Sequence, residues 1–441
     1  MPTRKLLSIA TMSALMCALL ACQPALSQQK KTDDLFTGNT FKEVDLNGLT
    51  VRAGTPVEVT SQLGWHIFWS KWDRWVFTHL TPFLARFPNG DLIATYTMDP
   101  DTQQNPQFSS AYQISHDGGR TWGMRYSTLM QHIPMIFIPA PNNSLIALPS
   151  EVMGTGSEPD RNFAGPLLTF ENGGERVVMQ ENGFRVVDWP EPIDATSSPQ
   201  PKQNWHRVIH FTGSYVKVGT ELLATVYWHA HGAKFLQLSL ASSKDGGHTW
   251  RYYSTVATSD TALPPESEWP RRPEGPDESS MIRLADGRLM IAFRVGEMTA
   301  WPLRRAFSSD NGRTWTKPEP LPAYSVEPEF QRLANGSIAL ATGRPGIHLW
   351  LTTDPKAAAD SWQDVDIAAL HNQLVSDPTQ HINPLHADRP QGGWNSSAYT
   401  GFVQVSPNKL LLLYDREPEG APANAQDLTR LFIMPIEVVK K

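Results

Sequence analysis

SHDGGRTW (residues 115–122), SKDGGHTW (243–250) and SSDNGRTW (308–315) are three copies of one pattern, Ser-x-Asp-x-Gly-x-Thr-Trp. In such a turn the aspartate accepts backbone N–H bonds and the glycine supplies a positive φ. The Thr-Trp pair then begins the next strand with its indole packed inward. Three near-identical turns in one chain therefore predict a β-sheet unit that is repeated along the sequence.

The spacing of these turns gives the size of the repeated unit. Asp245 and Asp310 are 65 residues apart, whereas Asp117 and Asp245 are 128 residues apart, almost twice that interval. One unit between the first two copies is therefore expected to have lost the motif. A second signal is an apolar strand that ends in a two-residue turn before another apolar strand. It recurs at Asn89-Gly90, Asn142-Asn143, Gly219-Thr220, Asp286-Gly287, Asn335-Gly336 and Asn408-Lys409. Six hairpins predict an all-β fold, a six-bladed β-propeller of four-stranded antiparallel blades.

The composition agrees with an all-β fold and argues against one class of partner. The 441 residues include 15 Trp, 30 Gly and 36 Pro, and only 19% are charged, a balance typical of short strands joined by turns. The net charge is −6 and no basic stretch offsets it, so nucleic acid is not expected as a partner.

Long connections and the two chain ends complete the expected architecture. Residues 154–207, 257–276 and 365–395 are rich in turn-forming residues and are predicted as long loops, the third beginning with a short helix. A propeller is commonly closed by a strand from the opposite terminus, and residues 44–51 and 431–439 are the candidates for that closure.

The first 22 residues have the features of an export signal. Arg4 and Lys5 precede an apolar run too short for an ordinary membrane span. Residues 19–22, Leu-Leu-Ala-Cys, resemble a bacterial lipobox that would make Cys22 the lipidated first residue, with ordinary cleavage near Ser27 as the alternative. We expect a periplasmic or outer-membrane lipoprotein, held to the membrane only by this anchor, or otherwise a secreted protein. Residues 23–43 are then a tether and 44–441 the propeller.

The repeated turns and hairpins make the chain resemble the sialidase superfamily over nearly all of its predicted mature length. In that family such turns, called Asp boxes, lie on the rim far from the catalytic centre, so function has to be argued from the central pocket. The resemblance implies a tyrosine nucleophile activated by a glutamate, an aspartate as acid/base, and three arginines that bind the substrate carboxylate.

Several positions match those functional residues. Glu278 and Arg294 stand where the family has its glutamate and one arginine, and Tyr399 stands where it has the nucleophile. Asp99 and Asp101 follow the second strand of the first blade, about where the acid/base aspartate belongs. Each has a structural alternative, such as a strand cap for Glu278 or a buried ring for Tyr399.

The arginine triad is incomplete in this sequence. Leu80, two residues before Pro82, occupies the place of the first carboxylate-binding arginine. Arg344, in a Gly-Arg-Pro segment, offers a further guanidinium but matches the third arginine poorly. We therefore expect a glycoside hydrolase acting on terminal sugars of extracellular glycans, with weak or no activity on sialosides.

Histidines near predicted strand ends raise two alternatives. His210 and His229 are candidate substrate-binding residues, and His229 and His231 would share one face of a strand, which is weak evidence for a metal site. A histidine base with a tyrosine acid is what elimination from a uronate-containing polysaccharide requires, so a lyase is one alternative. A glycan-binding or envelope propeller without catalysis is the other. No cofactor or metal is predicted.

Overall fold

The computed structural model describes residues 35–62, 65–69, 72–76, 81–97, 110–128, 133–154, 161–191, 193, 208–296, 301–344, 346–382, 399–416 and 428–441. They form an all-β fold in which strands are joined mainly into antiparallel sheets. In chain order the strands are β1 (Phe41–Leu46), β2 (Leu49–Gly54), β3 (Val57–Gln62), β4 (Trp65–Trp69), β5 (Trp72–Val76), β6 (Phe83–Arg86), β7 (Leu92–Thr97), β8 (Ser110–Ser115), β9 (Tyr126–Ser127), β10 (Pro134–Ala140), β11 (Ser144–Pro149), β12 (Glu151–Gly154), β13 (Phe163–Glu171), β14 (Arg176–Val186), β15 (Val208–Val218), β16 (Glu221–Trp228), β17 (Gln237–Ser243), β18 (Thr249–Ala257), β19 (Ser279–Arg283), β20 (Leu289–Phe293), β21 (Arg304–Ser308), β22 (Glu319–Pro320), β23 (Val326–Arg332), β24 (Ile338–Gly343), β25 (Ile347–Thr352), β26 (Gln363–Asp366), β27 (Thr400–Ser406), β28 (Lys409–Arg416) and β29 (Thr429–Lys440).

In the described ranges, two short α-helices lie in the predicted loops. They are α1 (Ser259–Ala262) and α2 (Ile367–Leu374), the second matching the helix expected at the start of residues 365–395. Asp366 caps α2 by accepting a hydrogen bond from the backbone N–H of Ala369. Within the described ranges, neither helix is long and apolar enough to cross a membrane.

Three sheets have the expected four antiparallel strands in chain order, namely β6–β9, β19–β22 and β23–β26. Two larger sheets depart from the expected four strands. One has nine strands in the order β10-β11-β13-β12-β15-β16-β17-β18-β14, and the other has six, β1-β2-β29-β28-β27 with β3 on β29. The nine-stranded sheet arises because β12 pairs with both β13 and β15 and so joins two neighbouring units.

All six predicted two-residue turns join antiparallel strands, at β6–β7, β10–β11, β15–β16, β19–β20, β23–β24 and β27–β28. The expectation that residues 154–207 form only a loop is wrong, because β13 and β14 lie within them. These two strands complete the unit begun by β10 and β11, which lies between the first two copies of the repeated turn motif and lacks it.

The repeated turn motif joins the third and fourth strands of a unit. Asp245 accepts hydrogen bonds from the Ser243 hydroxyl and the Thr249 N–H, each at 2.8 Å. Gly247 has a φ of 102°, a conformation that glycine adopts without strain. The fully buried Trp250 donates from Nε1 to the Gly247 carbonyl at 2.8 Å. The motif thus closes one turn and anchors an indole in the core.

The first strands of the six units contact one another in chain order: β6 with β10, then β15, β19, β23 and β27, and β27 contacts β6. Hydrogen bonds cross between neighbours, as from the Met281 N–H to Ser214 Oγ at 2.8 Å and from the Phe330 N–H to Ser280 Oγ at 3.0 Å. Gly401 on β27 permits the approach to β6, because a Cβ there would lie 2.5 Å from Leu84 N.

Strands from both ends of the described chain share the six-stranded sheet. β2 pairs with β29 from Leu49↔Lys440 to Ala53↔Ile436, and β29 pairs in turn with β28. The segments expected to meet, residues 44–51 and 431–439, therefore do so. Within the predicted tether, Leu35 and Phe36 are buried.

Candidate active site

Glu278 is the centre of the candidate site. It immediately precedes β19, Tyr399 immediately precedes β27, and Arg294 immediately follows β20. The Tyr399 hydroxyl donates to Glu278 Oε1 at 2.5 Å, although the two residues are 121 positions apart in sequence. Arg294 Nη1 donates to Glu278 Oε2 at 2.6 Å, and the backbone N–H of Glu327 donates to the same oxygen at 3.2 Å. Three predicted site residues are thus brought into direct contact.

The surroundings keep the Glu278 side chain ionised and the Tyr399 hydroxyl protonated. Burial alone raises the pKa of the Glu278 carboxyl, but the charge of Arg294 and the hydrogen bonds from Tyr399 and Glu327 outweigh burial and lower that pKa. Burial, with the negative charge of Glu278, holds the pKa of the Tyr399 hydroxyl well above its usual value. Near neutral pH the short hydrogen bond therefore runs from a protonated phenol to an ionised carboxylate.

Arg294 is enclosed by acidic side chains. Besides Glu278, its guanidinium contacts Glu274 through Nη2, and its Nε donates to the Gly296 carbonyl at 3.2 Å and lies 3.8 Å from Asp277 Oδ2. Burial raises the pKa of Asp277 well above its usual value, and the charges of Glu274 and Glu278 raise it further against the opposing effect of Arg294. One guanidinium is therefore shared among three carboxyl groups.

Glu327 is a site residue that the sequence analysis missed. Its Oε1 accepts a hydrogen bond from the Gly213 N–H at 3.1 Å, and its φ of 28° is an unusual, strained conformation for a residue other than glycine. Burial, followed by the charge of Glu278, raises the pKa of Glu327 well above its usual value. The available signal was Glu327-Pro-Glu329 at the head of β23. The second glutamate accepts from the Phe402 N–H at 3.0 Å.

Two cavities meet at Glu278. One has a volume of about 460 Å³ and the other about 130 Å³, and His210, Tyr227 and Glu278 line both. The polar groups that line only the larger cavity are His229, Lys234, Arg272, Glu274, Asp277 and Arg294. Tyr399, Glu327 and Glu151 line only the smaller cavity. Asp117, Asp245 and Asp310 line neither, in keeping with the rim position implied for Asp boxes.

The two predicted histidines lie in these walls. The His210 ring stacks on Tyr227 with centroids 4.4 Å apart, and its Nδ1 is 3.5 Å from Glu151 Oε1. His229 lines the larger cavity. No group of three histidine, cysteine, aspartate or glutamate side chains suited to a metal ion occurs in the part of the chain that the structure describes.

The remaining predicted residues either do not line the two cavities or lie outside the described part of the chain. The positive charge of Arg344 helps to lower the pKa of Glu278, but Arg344 is not among the lining residues of either cavity. Asp99, Asp101, Leu80 and Cys22 lie outside the described residues, so their roles stay predictions.

Comparison with models of known protein families and with curated proteins finds no match. Solved structures are similar in fold. A protein of unknown function from Dyadobacter fermentans is 15% identical with a TM-score of 0.58, covering 89% of this chain and 100% of that one. An α-L-arabinofuranosidase from Fusarium graminearum is 11% identical with a TM-score of 0.53, covering 88% and 98%. The Hadza microbial sialidase Hz136 is 12% identical with a TM-score of 0.51, covering 82% and 66%. The chain therefore has a sialidase-like propeller fold, of the kind found in these glycoside hydrolases.

Proposed function

We propose that this protein is a glycoside hydrolase that acts on terminal sugars of extracellular glycans, with Tyr399 as nucleophile and Glu278 as its base. The observation that carries the proposal is the 2.5 Å hydrogen bond from the Tyr399 hydroxyl to an ionised Glu278 where two cavities meet. A nucleophile within hydrogen-bond reach of an oriented base is the arrangement that covalent catalysis requires. Arg294 orients that base.

The proposed reaction has two steps. Transfer of the Tyr399 proton to Glu278 frees the phenolic oxygen to bond to the anomeric carbon as the bond to the leaving oxygen breaks. The leaving oxygen takes a proton from Asp99 or Asp101, the predicted acid/base residues. Water then bonds to the anomeric carbon and gives a proton to that aspartate, while the phenolic oxygen departs and recovers its proton from Glu278.

The same proposal includes a closed six-bladed propeller. Its support is the succession of first-strand contacts from β6 through β27 and back to β6, together with the pairing of β2 with β29 in the last sheet. In such a ring the ends of the first strands converge on the axis, which accounts for residues from different units meeting at Glu278.

A polysaccharide lyase acting on uronate-containing glycans is the second candidate, favoured by the stacking of His210 on Tyr227 in the wall of both cavities. Elimination needs a base for the proton beside the carboxylate and an acid for the leaving oxygen. Burial holds the pKa of Tyr227 well above its usual value, so this side chain stays a phenol with a proton to give.

A substrate panel separates the candidates. Purified protein is incubated with neutral aryl glycosides, sialosides and uronate-containing polysaccharides, and both released sugar and ultraviolet absorbance are followed. The hydrolase predicts released sugar without new absorbance, whereas a lyase produces an unsaturated uronate that absorbs. Absence of turnover on the whole panel would instead favour a glycan-binding propeller.

Export and anchoring are proposed from the N-terminal sequence. If Cys22 is lipidated, the Cys22→Ala variant should be absent from the membrane fraction, because the substitution removes the residue that carries the lipid anchor. The measurement is fractionation of cells producing each form. Unchanged membrane association would contradict lipidation at Cys22, and a wild-type protein that is already soluble would favour cleavage near Ser27.

A further inference from the structure

The smaller cavity is lined by acidic rather than basic side chains. Glu151, Glu278 and Glu327 face it, and its described lining includes neither lysine nor arginine. On its other side, Phe83, Ile133 and Met135 form an apolar cluster against which the Tyr399 ring packs. The reacting oxygen of Tyr399 is therefore placed between carboxyl groups and an apolar wall, a setting that offers an anion no compensating charge.

Arg294 already makes several hydrogen bonds within the protein. It directs Nη1 to Glu278, Nη2 to Glu274 and Nε to the Gly296 carbonyl, which uses three of its five N–H groups. Arg294 lines only the larger cavity, so a substrate carboxylate that used its remaining N–H groups would bind there and not beside Tyr399.

The other basic side chains near the site do not line the smaller cavity either. Lys234 and Arg272 line only the larger cavity, and the Lys234 ammonium lies 5.1 Å from the ring centroid of Phe235 and 3.9 Å from Glu266 Oε1. Arg344 acts on the charge of Glu278 without lining either cavity. An anionic group is therefore tolerated on the leaving-group side and not beside Tyr399.

The pKa of Glu327 also indicates that the smaller cavity disfavours a second negative charge. Burial and the charge of Glu278 raise its pKa, which means that a second negative charge beside Glu278 is already disfavoured. The carboxylate of an acidic sugar in that position would meet the same burial and the same neighbour.

We infer that the sugar attacked by Tyr399 is uncharged, with its anomeric carbon facing Tyr399 in the smaller cavity and its leaving group in the larger one. This inference rests on the proposed hydrolase function. It names the substrate class by chemistry: a neutral terminal glycosyl residue, in contrast to the carboxylated sugar that a sialidase removes.

The test compares substrates that differ only in charge. Aryl glucosides are assayed against the matching glucuronides, and galactosides against galacturonides, in both anomeric forms. We expect kcat/KM for the preferred neutral glycoside to exceed that of its acidic counterpart by at least about a hundredfold, since like-charge contacts are strongly unfavourable. Glu151→Gln should narrow this ratio, whereas the exposed Glu319→Gln should leave it unchanged. Faster cleavage of any acidic member would overturn the inference.

A binding measurement keeps the inference testable if no substrate is cleaved, an outcome that would refute the proposed function alone. Calorimetry on the Tyr399→Phe variant then compares neutral pentose and hexose lactams with 2,3-dehydro-sialic acid. The inference requires at least one lactam to bind more tightly than the acid. Tighter binding of the acid, or no binding of any lactam at millimolar concentration, contradicts it.

Discussion

At the scale of single residues, the site depends on one guanidinium, that of Arg294, which is shared among three acidic side chains. Arg294 holds Glu278 ionised while burial keeps the pKa of Asp277 high. Groups whose environments push their pKa values apart are the ones that can act as base and acid in the same pocket. The same division makes Arg294 a structural requirement, because its removal would leave buried carboxyl groups without a counter-ion.

Replacing Arg294 is therefore expected to destabilise the fold in a pH-dependent way. Breaking a buried ion pair costs about 3–5 kcal/mol, so Arg294→Met should lower the free energy of unfolding by that order at pH 7. Loss of the guanidinium raises the folded-state pKa of Glu278 above its unfolded value. The deficit should then be smallest below about pH 4 and grow as pH rises through the raised pKa. Urea unfolding from pH 4 to 8 measures this dependence.

The control for that series is Arg283→Met, which removes an exposed guanidinium bound to the Gly287 carbonyl. This substitution should change the free energy of unfolding by no more than about 1 kcal/mol at every pH. If both variants lost the same free energy of unfolding at every pH, Arg294 would not be the counter-ion of the buried carboxyl groups.

At the scale of elements, the repeated turns stabilise the fold without taking part in the site. In the turn of residues 308–315, hydrogen bonds from Thr314 and Ser308 hold the pKa of Asp310 at about 2. The hydrogen-bond partners of Asp310 all lie within four residues of it, and that is why the sequence pattern predicts these turns well. The strands β13 and β14 also carry a local signal, because Asn172-Gly173 joins two apolar runs and both residues have positive φ. The sequence analysis missed it because the Gly, Pro, Ser and Asn content of residues 154–207 favoured a loop.

Removing a turn aspartate should lower stability and leave activity intact. Asp245→Ala leaves the Thr249 N–H and the Ser243 hydroxyl without their acceptor and should cost about 1–3 kcal/mol. At a temperature well below the melting point, kcat/KM should equal that of wild type. Thermal melting and steady-state kinetics measure the two effects, with the exposed Lys244→Ala as the neutral control. A fall in kcat/KM would connect the turn to the site.

At the scale of the whole molecule, the last sheet joins the two ends of the described chain. The pairing of β2 with β29 places Leu49, Val51 and Ala53 in the core with no exposed surface. This junction was predictable because a propeller is commonly closed by a strand from the opposite terminus. The burial of Glu327 was not, because it results from the meeting of units far apart in sequence, and a glutamate next to a proline looks solvent-exposed in the sequence alone.

A charge placed in this junction should unfold the molecule as a unit. Val51→Asp puts a carboxylate among apolar side chains and should lower the free energy of unfolding by several kcal/mol, or prevent folding altogether. Lys42→Asp, on the exposed strand β1, should change it by no more than about 0.5 kcal/mol. Urea midpoints compare the two. Similar midpoints would indicate that β2 does not hold the last sheet together.

The central claim is that Tyr399 and Glu278 react as one unit, and the turnover of their variants tests it most directly. On the best substrate from the panel, Tyr399→Phe and Glu278→Gln should each lower kcat by about a thousandfold or more with circular dichroism unchanged. The double variant should be no slower than the slower single one, because removal of either member disables the unit. A kcat within tenfold of wild type for either folded variant, or losses that multiply in the double variant, would contradict the account.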